Sequence, residues 1–518
     1  MIRRALCLGL ASAFCLSSAL AQAPNDHNAM AESSAKGEKA EKTIPVPPET
    51  ASVTKHDWTA GGQVVHYTAT AGNLLLRNEK DEPIGSIFYV AYTADGADPA
   101  TRPVTFFYNG GPGSATIWLH MGAFGPVRVV TDSPAPTGPA PNQYVPNEYS
   151  LLDKTDLVFI DAPLAGFSRA VGKGTVKDFA GTDEDLRAFD HFIVRYLTVN
   201  QRWNSPKFLF GESYGTTRSA GLVAALAQDG VECNGVTLLS SILNYNVRNP
   251  GYDTEAITYL PSYAAIAWYY KKVPQTVGLP ETVQAAREFA RGPYAAALQQ
   301  GDKLPPAELD AIATKLAAMT GLSVDYIKQT KLRIDPTHFR KQLLRDQGRT
   351  FGRFDARFEG WDADSAGEYP SSDPSSTGIT GAFVSAFHTY LAKDLKYTSS
   401  EPYLLAAPGV NQHWNFKHKA AGQRGGREQT SPDVAVDLAT AMRQNPKLHV
   451  FSANGWFDLA TPFFGTEYDL SHMMLPDSLV KNVEFGYYPA GHMVYLNVEA
   501  LKQLHADMDR FYTEATQR

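Results

Sequence analysis

The segment Gly211-Glu212-Ser213-Tyr214-Gly215 constrains this chain more than any other. It follows the apolar run Phe208-Leu209-Phe210 and precedes a helix-like stretch over residues 216–228. A serine with glycine two residues away on each side fits a sharp strand-to-helix turn, because only small flanks let the backbone close. Such a turn lifts the serine oxygen clear of a sheet. A strand feeding a helix also predicts crossover connections, and other short apolar runs recur at 104–108, 157–160, 236–239, 449–452 and 483–488. They lack the alternation of half-exposed strands, so strands buried on both faces are expected. Between them lie helical patterns. Over residues 182–199, Leu186, Phe189, Phe192, Ile193, Tyr196 and Leu197 share one face, and Asp183-Glu184-Asp185 occupy the first turn. Strand and helix in alternation predict an α/β fold with a mostly parallel central sheet.

Other segments flank this core. Met1-Ile2-Arg3-Arg4 is basic, and residues 5–20 are mostly apolar, shorter than the roughly 20 residues a membrane span needs. Ala19-Leu20-Ala21 resembles a cleavage site, so residues 1–21 read as a signal peptide cut after Ala21. A periplasmic or secreted location is expected, with no integral membrane segment after cleavage. Residues 22–49 are rich in Ala, Glu, Lys, Pro and Ser and read as a flexible tether. A β meander is expected next, over 64–70, 74–77 and 84–92, with Ala71-Gly72-Asn73 as a break. Residues 50–244 form the first part of the core and 413–518 the second. Between them, 245–412 read as a largely helical insertion, with long helical stretches at 281–300 and 307–319 and a Gly/Asp/Ser/Pro-rich segment at 352–378. The formal charge of −7 argues against a nucleic-acid partner. Cleavage after Ala21 would remove Cys7 and Cys15, leaving Cys233 as a small buried hydrophobe rather than half of a disulfide.

A serine becomes a nucleophile only beside a base that a carboxylate orients. On a sheet of this kind the chain order is serine, acid, histidine. Asp458 follows the strand 449–452, and His492 follows the strand 483–488 in the loop Ala490-Gly491-His492-Met493. Asp469, Asp477 and His472 are alternatives, but they fall in segments that read as helix or mid-connection. A third element, Asn109-Gly110-Gly111-Pro112-Gly113-Ser114, follows the strand 104–108 and can bring backbone N–H groups to a developing oxyanion. No Gly-Lys-Ser/Thr follows it, so it is not a phosphate loop.

At this point the residues carry a resemblance. The blocks Asn109-Gly110-Gly111-Pro112-Gly113, Asp161-Ala162-Pro163-Leu164-Ala165-Gly166-Phe167-Ser168, Gly211-Glu212-Ser213-Tyr214-Gly215 and Gly491-His492-Met493-Val494 resemble the serine carboxypeptidase family, of a bacterial type, over roughly residues 104–512. The resemblance implies an α/β-hydrolase fold with the insertion as a cap. It implies Ser213 as nucleophile, His492 as base and Asp458 as its orienter. The N–H groups of Gly111 and Tyr214 would form the oxyanion hole. Asn109, Gly110 and Glu212 would bind the substrate's free carboxylate, and Met493 would line the pocket for the departing residue. Glu212 can donate to a carboxylate only when protonated, which favours acid pH. The chain departs from the family pattern at Phe107, usually Trp, at Ser114-Ala115, where a cysteine is missing, and at Ala123, where a glutamate often pairs with the elbow glutamate.

The expected function is an exported serine carboxypeptidase acting on peptides, or else an esterase or acyltransferase on the same triad, with a non-catalytic peptide-binding protein as a third class. No cofactor or metal is called for. Asp362-Ala363-Asp364-Ser365-Ala366-Gly367 resembles the start of a calcium loop but carries Ala366 where a ligand belongs. His413 and His418 lack the spacing of one helix face, and the basic cluster 417–427 reads as a solvated loop.

Overall fold

The computed structural model describes residues 43–249, 251–422 and 428–517, so the signal segment and most of the tether lie outside the described residues. The apolar runs become the middle of one sheet. Its long strands are β1 (Ala51–Ala60), β2 (Gln63–Arg77), β3 (Pro83–Ala94), β4 (Val104–Tyr108), β5 (Asp156–Ile160), β6 (Lys207–Glu212), β7 (Gly235–Leu239), β8 (His449–Gly455) and β9 (Val483–Tyr488). In space they run β1-β2-β3-β5-β4-β6-β7-β8-β9. The pairs from β1 to β5 are antiparallel. Those from β5 through β9 are parallel. Every residue of β4, β5, β6 and β7 is buried, which is why their sequences show no alternation. Helices α1 (Thr182–Val199) and α2 (Tyr214–Gln228) pack on this sheet. The whole is an α/β-hydrolase fold with an antiparallel N-terminal meander.

Three local expectations differ from the structure. β2 runs unbroken through Ala71-Gly72-Asn73. Gly72 lies opposite Ala51, where a side chain would strike the Thr50 carbonyl, so this glycine answers to close approach and not to a turn. The end of the tether is fastened: Ile44 exchanges backbone hydrogen bonds with Gly172, and Glu49 pairs with Arg195. The helix over 281–300 divides into Leu279–Phe289 and Ala295–Gln300, joined by a π turn that contains Pro293, whose missing N–H interrupts the ladder.

The insertion contributes to two cores. Its helices Thr254–Tyr269, Leu279–Phe289 and Pro306–Thr320 build a second hydrophobic cluster, which also takes in Phe457, Leu459, Phe463 and Phe464 from beyond β8. The helix Thr380–Lys393 instead buries Ala382, Phe383, Ala386, Phe387 and Tyr390 in the main core. Among the described residues no helix is long and apolar enough to cross a membrane.

Candidate active site

β6 ends at Glu212 and α2 begins at Tyr214, so Ser213 alone makes the turn, with φ 61° and ψ −129°. A non-glycine residue at positive φ stores strain of about 1–3 kcal/mol. The flanking glycines are sterically required. A side chain on Gly211 would strike the Gly215 carbonyl, and one on Gly215 would approach the Tyr108 carbonyl at 2.8 Å. Gly110 lies so close to the elbow that a side chain there would meet the Tyr214 and Gly215 nitrogens. Gly111, at φ 104°, carries the next amide. Among the described residues, neither the Gly111 nor the Tyr214 N–H is taken by an acceptor of the chain. Both residues line the cavity that Ser213 faces, as a pair of donors for an oxyanion requires.

Asp458 Oδ2 meets His492 Nδ1 at 2.7 Å. Asp458 Oδ1 accepts from the N–H groups of Ala460 and Thr461 at 2.7 and 3.0 Å, and Oδ2 also accepts from the Thr461 hydroxyl at 2.8 Å. Four donors thus satisfy the buried carboxylate and fix its orientation. Burial alone would lower the His492 pKa, but the Asp458 carboxylate, and Glu212 beyond it, more than offset this and leave it above 6.5. His492 lines the cavity with Ser213. Asp469 sits elsewhere, accepting from the Asn244 N–H, and His472 is exposed and stacked on Tyr468. Asp477 opens a short helix at Asp477–Val480.

The Asp458 and His492 loops are braced by a segment of the insertion. His492 N donates to the Phe354 carbonyl at 2.5 Å, Leu459 N to Arg353 and Ala356 N to Phe457, both at 3.0 Å. Gly491 passes against Phe354 and Asp355 with no room for a side chain. Arg357, paired with Asp355 in a buried ion pair, donates to the Pro489 carbonyl. Residues 353–357 fall in the Gly/Asp/Ser/Pro-rich segment 352–378, where the apolar Phe354 and the neighbouring Phe358 are the sequence signals of packing.

Glu212 is 1% exposed yet lines the cavity, as do Asn109, Gly110 and Met493. Burial pushes its carboxyl up to about 7, against hydrogen bonds from Tyr495 and Asn109 and the charge of His492. Tyr495 donates to Glu212 Oε2 at 2.8 Å and packs over Gly122, next to Ala123. A tyrosine thus partners the elbow glutamate, a residue that the sequence reading missed because it lies 283 positions away. Arg218, fully buried, reaches from α2 to pair with Asp185 and to donate to the Asn109 carbonyl at 2.9 Å, tying the Asn109-Gly110-Gly111 turn to the elbow helix.

The remaining motifs have other partners. Asp362 pairs with the buried Lys341, and Asp373 caps the short helix Pro374–Thr377. His418 lies between Asp183 and Asp437, which raise it to about 9 in spite of burial. It thereby fastens a segment whose Trp414 packs edge-on against Tyr214. Cys233 is buried in the main core.

A family model for serine carboxypeptidases matches residues 62–486. Among characterised proteins the chain is similar to serine carboxypeptidase-like 33 of Arabidopsis thaliana, 25% identical over 34% of this chain and 36% of that protein. It is also similar to P-(S)-hydroxymandelonitrile lyase of Sorghum bicolor, 27% identical over 28% of this chain and 26% of that one. Each match therefore spans only about a third or a quarter of the relative's length. Among solved structures, proline iminopeptidase of Mycobacterium smegmatis aligns over 89% of this chain and 99% of that one at 13% identity and a TM-score of 0.33, too distant to inform the chemistry.

Proposed function

Because the chain belongs to the serine carboxypeptidase family, we propose that it is a serine carboxypeptidase that releases the last residue of peptides through an acyl-enzyme on Ser213. The observation that carries the proposal is the convergence of Ser213, His492, Asn109, Gly110 and Glu212 on one cavity of about 580 Å³. Ser213 Oγ attacks the scissile carbonyl carbon while His492 takes its proton. The Gly111 and Tyr214 N–H groups hold the oxyanion. The C–N bond then breaks as His492 returns the proton to the leaving amine. Water, activated by the same imidazole, hydrolyses the ester and restores Ser213. Asn109, Gly110 and protonated Glu212 receive the terminal carboxylate of the substrate, and Met493 lines the space for its side chain. Asp458 keeps His492 in the tautomer whose Nε2 can accept a proton.

A three-substrate comparison tests this proposal: a blocked dipeptide, its C-terminal amide and an aryl ester of the same acyl group. Release from the free acid in preference to the amide supports a carboxypeptidase. Ester turnover alone would assign the triad to esterase or acyl-transfer chemistry. Absence of turnover, with no labelling of Ser213 by a fluorophosphonate, would overturn both. We propose further that the protein is exported to the periplasm or beyond, on the basic, apolar and small-residue sequence ending at Ala21. N-terminal sequencing of the mature protein should then begin at Gln22.

A further inference from the structure

Two guanidinium groups line the substrate cavity, and the mechanism uses neither. Arg248 comes from the short 3₁₀ turn Tyr245–Arg248 after β7, and Arg353 from the segment that braces the His492 loop. The cavity wall between them includes Ile242, Tyr245, Phe354 and Ala460. Arg248 is half-buried and donates to the Ala460 carbonyl at 2.9 Å. Arg353 lies with its guanidinium near the Phe354 ring. Both act electrostatically on the Tyr259 hydroxyl, and Arg353 also acts on His492.

Neither arginine is neutralised by a carboxylate at salt-bridge distance among the described residues. Glu255 and Asp469 lie within electrostatic reach of Arg248. Asp373 Oδ2 accepts from the Arg353 backbone N–H at 3.0 Å and lies 3.5 Å from the Arg340 guanidinium, with no salt bridge to that of Arg353. The carboxylates at the reaction centre are otherwise committed. Asp458 is saturated with donors, and Glu212, pushed up to about 7 by burial, already accepts from Tyr495. The open cavity therefore presents two guanidinium groups against few available negative charges. Arg353 is exposed at the cavity rim and Arg248 is half-buried; a guanidinium without a counter-ion in either position can take an anion from outside, because its planar donors match a carboxylate.

We propose that Arg248 and Arg353 are specificity-determining residues that select substrates carrying a side-chain carboxylate beside the scissile bond, glutamate or aspartate. The proposal rests on the hydrolase reading above and narrows its substrate class.

The test compares matched pairs differing only as Glu against Gln, placed first at the terminal and then at the penultimate position of a blocked dipeptide. Blocked Glu and Gln aryl esters form a third arm. In the wild type kcat/KM should favour Glu by about tenfold at one of the two positions, as a charge-assisted contact implies. The ratio should shrink as ionic strength rises. In the double variant Arg248→Gln/Arg353→Gln it should fall towards one, while Arg353→Lys retains part of it. Equal rates for Glu and Gln at both positions, or a ratio the double variant leaves intact, would overturn the proposal. So would an effect of the variants on free-acid against amidated peptides only, since the arginines would then read the terminal carboxylate. Should the peptides fail as substrates, the ester arm still reports the Glu-to-Gln ratio, which separates this proposal from the peptidase reading. A thermal melt of each variant separates loss of selection from loss of fold.

Discussion

The two halves of the proposed catalytic centre are built in opposite ways. The Ser213 half is local: a five-residue turn, its glycines and the strand and helix on either side account for the backbone geometry. The Asp458–His492 half is assembled from afar, its loops resting on residues 353–357 of the insertion through three backbone hydrogen bonds and the Asp355–Arg357 pair. The nucleophile is held by steric necessity and the base by packing. Perturbations of the first should therefore change chemistry with little change in stability, and perturbations of the second should change both.

Replacing Ser213 by alanine gives the largest expected effect, a fall in kcat of roughly 10⁶-fold with a melting temperature no lower than wild type. A cooperative melt shifted down by many degrees would contradict the local account. Asp458→Asn should cost about 10⁴-fold in kcat through the wrong His492 tautomer. Next come changes to the brace. Asp355→Ala leaves Arg357 buried and unpaired, and should destabilise the protein by about 3–5 kcal/mol while lowering activity. Gly491→Ala forces the His492 loop off Phe354 and should cost roughly 10²-fold in kcat/KM. If either brace variant retained full stability and rate, the dependence of this half on the insertion would be refuted.

The pH behaviour sharpens the comparison further. His492 must be neutral to act, and its pKa is raised, so activity on every substrate should climb through the region above pH 6.5. Glu212 must be protonated to donate to a terminal carboxylate, and it loses that proton near pH 7. For free-acid peptides KM should then rise as pH increases past about 7, whereas esters and amides should lack this limb. Tyr495 donates to the Glu212 carboxylate and so favours its charged form. Tyr495→Phe should move the KM limb to higher pH, the smallest effect of the set. A limb that stays in place, or moves down, would remove Tyr495 from the recognition of the carboxylate.

What the sequence disclosed follows the same division. The run 104–108 coincides with β4 and 182–199 with α1, because burial on both faces or on one stripe writes itself into composition. The run 483–488 coincides with β9, but this strand closes the sheet's edge and is only partly buried, so its apolar run overstated its burial. Asp458 and His492 were placed by their position after strand ends, and the structure brings them into contact. Tyr495 and the 353–357 brace left no such mark. Their roles come from tertiary contacts between segments distant in sequence, one lying past a helical insertion whose hydrophobic pattern concerns its own core. Gly72 misled for a related reason, since a glycine demanded by a neighbouring strand looks the same as one demanded by a turn.

The second hydrophobic cluster draws Phe457, Leu459 and Phe463 from the stretch around Asp458 into the same packing as the helices of the insertion. The insertion, if it serves as the cap proposed for it, is therefore not an interchangeable module seated on a finished enzyme. Exchanging it for the cap of a relative, to import a new specificity, would rebuild the bed on which the catalytic acid lies. A functional chimera would have to carry residues 353–357 and 456–464 across together, so the natural cut for recombination in this fold runs around the acid's loop and not at the visible edges of the insertion.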